Sequence, residues 1–181
     1  MHLCEDSRFG TGSRDMENRL PFNMERKRNM AEQQVSVIIT GTHKRPGISH
    51  IEDTKSEAVG LYRNENGTHV IEYEEYLEDA APRDEGAGQI ATYNCVEIAP
   101  HAMTVTRKGS VESSLRFAEG LEHNSEYKTP FGVMKSRVFT TRYATYILEK
   151  GNRLIAEAEY TVSMNGMEMS ETTMRFDVTF I

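Results

Sequence analysis

The feature that most constrains this chain is an alternation of apolar and polar residues with a period of two, clearest in its C-terminal part. Ala156, Ala158, Tyr160, Val162 and Met164 interleave with Glu157, Glu159, Thr161 and Ser163. Beyond Asn165-Gly166, Met174, Phe176, Val178 and Phe180 interleave with Thr173, Arg175, Asp177 and Thr179. Successive side chains of a strand point to opposite faces, so this spacing predicts two strands, each with one dry and one wet face. A helix would scatter the same residues around its cylinder. The Asn-Gly pair tolerates positive φ at both positions and predicts a tight hairpin between them.

The same period begins at Gln33, where Val35, Val37 and Ile39 alternate with Ser36 and Thr40. Further strands are expected over about 57–63, 69–77, 89–97, 102–108, 113–117, 124–129, 133–143 and 144–149. Turn residues separate them: Pro46-Gly47, Asn66-Gly67, Pro100, Thr129-Pro130-Phe131-Gly132 and Lys150-Gly151. His43 and His50 fall in a turn-rich stretch and are expected in a loop, and an acidic loop is expected over 78–88. About ten short strands joined mainly by hairpins predict an all-β chain, a single closed antiparallel barrel of about 8–10 strands, since closure removes exposed sheet edges. Barrels of this size are filled by side chains or hold one small ligand.

Residues 1–30 break the pattern. They are polar, interrupted by Gly10, Gly12 and Pro21, and carry a net charge of +1, which leaves −8 for residues 31–181. Such a segment buries too little to order itself and is expected to be a solvated leader ahead of the barrel domain, 31–181. Met30 offers an alternative start, with Glu25-Arg26-Lys27-Arg28 encodable by purine-rich codons that resemble a ribosome-binding site.

The net charge of −7 argues against nucleic-acid binding by the barrel, which would call for a basic surface. No apolar run approaches the ~20 residues of a membrane span, and the chain is expected to be cytoplasmic. Cys4 and Cys95 match no metal or redox spacing and are expected as thiols outside any disulfide. The histidines never approach metal-ligand spacing, no nucleophile elbow, P-loop or dinucleotide fingerprint occurs, and no cofactor is expected. The ten methionines, Met164, Met167, Met169 and Met174 among them, are expected as barrel filling.

From Val35 to Ile181 the sequence resembles the YwiB-like proteins, a bacterial family of unknown function with a lipocalin-like, or calycin-like, barrel. The residues that carry the resemblance are Tyr73-Glu74-Glu75, Arg107 and Gly109, and Phe117, Gly120, His123, Tyr127, Thr129, Pro130 and Gly132. The resemblance implies the fold and assigns no reaction; family members are often encoded beside arginyl-tRNA synthetase.

Parity singles out one charged pair. Arg107 is in phase with Met103 and Val105, and Glu75 with Ile71 and Tyr73, so both point inward. A buried charge needs a partner, and the simplest partner for each is the other. In a structural role the two would form an internal ion pair that fixes strand register, or reach solvent from their strand ends. In a ligand site Arg107 would grip a carboxylate or phosphate bidentately, Glu75 would orient the guanidinium, and Tyr73 and Tyr62 would line the walls. The favoured expectation is non-enzymatic binding of a small, partly apolar or anionic molecule. The alternatives are a protein–protein interaction module near the translation machinery and an enzyme using Glu75 as base and Arg107 as electrostatic stabiliser. A homodimer is left open.

Overall fold

The structure, a computed structural model, describes residues 32–76 and 91–181. The leader over 1–30 and the acidic loop over 78–88 lie outside the described residues.

Ten strands follow one another: β1 (Gln33–Lys44), β2 (Ile51–Glu65), β3 (Thr68–Tyr76), β4 (Ala91–Ala99), β5 (Ala102–Gly109), β6 (Ser113–Phe117), β7 (Glu122–Thr129), β8 (Gly132–Leu148), β9 (Arg153–Met164) and β10 (Met167–Phe180). All pairings are antiparallel, in the order β6-β5-β4-β3-β2-β1-β10-β9-β8-β7. The two edge strands, β6 and β7, are consecutive in the chain and meet. Glu112 and Lys128 exchange backbone hydrogen bonds of 2.9 and 2.8 Å across the seam, and His123 Nε2 lies 3.2 Å from the Ser114 carbonyl. At the other end of the seam the β6–β7 loop is tied to β8, where Gly120 N donates to Thr140 O (2.9 Å) and Thr140 N to Leu121 O (3.0 Å). Among the described residues no continuous ladder laces β6 to β7, so the barrel is nearly closed.

Tight turns fix the register. Asn66 (φ 53°) with Gly67 (φ 89°), and Asn165 (φ 50°) with Gly166 (φ 83°), carry the paired positive φ of a type I′ hairpin, whose twist matches its flanking strands. Alternate residues then gather inside. Val35, Val37, Ile71, Val96, Ile98, Met103, Phe117, Val138, Ala156, Ala158, Phe176 and Val178 form one buried cluster. The outward face of β9 and β10 is charged: Arg153 clasps Asp177 through Nε (2.8 Å) and Nη2 (2.6 Å), while Arg175 joins Asp177 (3.2 Å) to Glu157 (2.7 Å).

Three sequence expectations need correction. The strands expected over 133–143 and 144–149 are one strand, β8, with a bulge between Thr140 and Arg142. The extra residue moves the inward set from even to odd numbers, from Val138 and Thr140 to Tyr143, and that slip in phase reads in sequence as a break. His43 is not in a loop, because β1 runs on to Lys44 and pairs with β2 and β10 along its length. Met167 and Met169 are largely exposed rather than filling the barrel, since they flank the final hairpin and a second irregularity between Glu168 and Ser170.

Gly60 shows how tightly the wall is built. It is buried on β2 between Val35 and Tyr73, and an added Cβ would stand 2.8 Å from the Glu72 carbonyl oxygen and 3.3 Å from Tyr73 Cβ. Because backbone cannot swing aside as a side chain can, Gly60→Ala is expected to cost about 1–3 kcal/mol in urea unfolding. A neutral result would show that the β2–β3 pair yields there.

Candidate ligand site in the barrel interior

The inward face changes character along the barrel. Near the ends joined by turns 66–67, 100–101 and 149–152 it is apolar, with Ile71, Ile98, Met103, Phe117 and Leu154. Toward the connections at 45–50, 110–112, 130–131 and 165–166, and into the middle, the inward positions are His43, Ser56, Glu75, Thr92, Asn94, Arg107, Ser113, Ser125, Ser136, Thr140, Tyr160, Ser170 and Thr172.

The inward parity of Glu75 and Arg107 brings both into this polar half, but it does not make them a pair. Among the described residues no ion pair joins them. Register is the reason: Arg107 on β5 stands opposite Asn94 on β4, which stands opposite Tyr73 on β3, whereas Glu75 stands opposite Thr92. β4 therefore separates the two charges, a spacing of about 9–10 Å for strands two apart. Asn94 spans part of that distance. Its Nδ2 donates to Glu75 Oε2 (3.2 Å) and to the Thr92 carbonyl (3.3 Å), and Ser56 Oγ makes a long contact of 3.5 Å with Glu75 Oε1.

Arg107 is half-buried and, among the described residues, its guanidinium has neither a carboxylate partner nor a hydrogen bond. Its charge is nevertheless felt by two tyrosines. Burial, reinforced by Glu75 and opposed by Arg107, holds the Tyr73 hydroxyl above its ordinary range. Burial pushes Tyr160 up to about 12, against the opposing influence of Arg107 and a hydrogen bond with Thr172. Tyr160 also packs on Phe117, ring centroids 4.8 Å apart, and stands opposite Thr140. Tyr62 lies elsewhere: its hydroxyl is 2.9 Å from His69 Nδ1, and its ring meets Phe180 edge-on at 4.7 Å, toward the apolar end.

Several polar residues of this interior escaped the sequence reading. Four buried side-chain atoms have no partner within the protein among the described residues: Asn94 Oδ1, Ser125 Oγ, Ser136 Oγ and Thr140 Oγ1. Ser125 and Ser136 face each other across β7 and β8. Nearby, His43 Nδ1 is 3.0 Å from Thr172 Oγ1, which is 3.0 Å from Ser170 Oγ, and His43 Nε2 is 3.2 Å from Thr54 Oγ1. The signal was present in the sequence: Asn94 is in phase with Val96 and Ile98, and Ser136 and Thr140 are in phase with Val138.

Chemically, the arrangement offers a cation, hydroxyls that either donate or accept, and one amide oxygen that only accepts. Among the described residues no group of three or more His, Cys, Asp or Glu is placed to hold a metal ion, and no helix is long and apolar enough to cross a membrane. A separate open hollow of about 300 Å³ lies outside, lined by Lys44 to Ile48 with Glu168 and Glu171, and none of the inward-facing residues borders it.

Fold and interior together define an up-and-down antiparallel β-barrel protein, its interior apolar toward one end and polar toward the other. The chain belongs to the family described as Domain of unknown function (DUF1934), whose model matches residues 37–176. Its fold is similar to that of the ywiB protein from Bacillus subtilis, with a TM-score of 0.67 and 17% identity over 83% of this chain and 93% of that one. At that identity the likeness speaks for the fold alone, and it agrees with the YwiB-like resemblance of the sequence. No curated protein matches the chain.

Proposed function

We propose that the barrel is a binding protein for a small anionic molecule, held in the polar half of the interior with Arg107 as the anion-gripping group. The observation that carries this reading is an inward-facing guanidinium without a carboxylate partner among the described residues, in an interior that also holds buried hydroxyls lacking partners within the protein. Even a partly buried charge is costly to leave without a counter-charge, so a half-buried inward arginine of this kind is balanced best by a ligand. A guanidinium grips a carboxylate or phosphate through two parallel N–H donors. Tyr73 and Tyr160, both under its field, belong to the same barrel interior. Glu75 is occupied in holding Asn94, which supports a structural task rather than that of a general base.

Native mass spectrometry of the protein purified from its own host tests the proposal. The wild type is expected to carry a bound mass of small-molecule size, and Arg107→Met to lose it. Stripped of ligand, the variant is expected to be more stable than the wild type by about 1 kcal/mol, because a half-buried charge without a counter-charge has been replaced by a shorter, uncharged thioether. An unliganded wild type, together with an Arg107→Met variant of unaltered stability, would refute it.

A further inference from the structure

Resting on that reading, we infer that the ligand is more than an anion: it carries hydroxyl or amino hydrogen-bond donors close to its charged group, as a polyol phosphate or a hydroxy acid does. Asn94 is 2% exposed and stands directly across from Arg107 on the inward face. Its amide has only one admissible orientation. Nδ2 faces Glu75 Oε2 at 3.2 Å and the Thr92 carbonyl at 3.3 Å, both of which can only accept. Exchanging the amide's oxygen and nitrogen would set oxygen against a carboxylate and a carbonyl. Oδ1 is thereby fixed on the other side of the amide, where it is buried and without a partner within the protein.

A bare anion cannot satisfy that atom. A simple carboxylate, or a phosphate monoester as its dianion, presents only acceptor oxygens, and an acceptor next to Oδ1 and near the Glu75 carboxylate is repelled rather than bound. A ligand that offers an O–H or N–H to Asn94 Oδ1 while its charged group lies on Arg107 satisfies both. The hydroxyls of Ser125, Ser136 and Thr140 rotate, so they complement such a molecule as donors or acceptors without further constraint. Sites built to receive a hydroxyl reject the analogue that lacks it, because their own polar group is then left buried and unmatched.

Matched probe pairs provide the test. Glycerol 3-phosphate is compared with methyl phosphate, and glycerate with propionate, by NMR titration of ligand-free wild type, Arg107→Met and Asn94→Leu. In each pair the hydroxylated probe is expected to bind at least about tenfold more tightly to the wild type. Arg107→Met should lose both members of a pair, whereas Asn94→Leu should keep the plain anion and lose the preference. Thermal melting confirms that each variant is folded, and the wild-type comparison stands by itself if one is not. Equal affinity within both pairs would overturn the inference and leave the anion-binding proposal intact. Binding of none of the four probes, or binding undiminished in folded Arg107→Met, would bring down the proposal and the inference together.

Discussion

Truncating Phe176 to alanine is expected to destabilise the barrel by about 3–5 kcal/mol, the range for deleting a fully buried aromatic ring. Phe176 is 1% exposed, lies opposite Ile39 and Ala156 on the neighbouring strands, and packs near Tyr73 with ring centroids 6.1 Å apart. Ala156 is already as small as a packing residue can be, so the wall has little with which to refill the space. Urea unfolding should show the midpoint falling with an unchanged slope, which marks lost stability rather than a different unfolded state. Phe139→Ala is the control: that ring is 41% exposed on the outer face of β8, and its removal should change stability by no more than about 0.5 kcal/mol. If the two variants lose equally, the two faces of the wall have been misassigned.

The second large effect is an acid sensitivity centred on Asp177. Its carboxylate is held below the usual aspartate range first by the hydrogen bonds from Arg153 and then by Arg175, working against partial burial. A carboxylate depressed in the folded state binds protons more readily when unfolded. Its contribution is therefore complete above the unfolded value of about 4 and fades as pH falls through the lower folded value. Asp177→Asn is expected to cost about 1.5–3 kcal/mol at neutral pH, as is common for hydrogen bonds to charged groups. The gap between variant and wild type should shrink as urea titrations are repeated at pH values below about 4. A gap of constant size down to the acid limit would mean that the charge of Asp177 contributes nothing.

Much of the fold was legible because each strand declares its own two faces. β9 and β10 could be read residue by residue, and the pair Asn165-Gly166 supplied their turn. What a strand does not declare is how far it slides along its neighbours. The inward direction of Glu75 and Arg107 followed from the local phase of their strands, but their separation depends on the register across β4, which neither stretch encodes. The reading of β8 failed for a related reason: one bulged residue reversed the phase, and a long strand looked like two short ones. For the site, Arg107 stood out because a charge in an apolar phase is conspicuous. Asn94, Ser136 and Thr140 violate the same phase more quietly, and only three-dimensional pairing reveals that their oxygens lack partners.

The unlaced seam has a bearing on solubility. Strand edges are templates for pairing with other chains, and here the only two edges of the described sheet are turned toward each other, pinned by Glu112 and Lys128 at one end and by the tie of the β6–β7 loop to Thr140 at the other. Each edge thus shields its counterpart. Damage that pries this slit apart would bare two templates at once, making it the point from which strand exchange between copies, and aggregation, would begin.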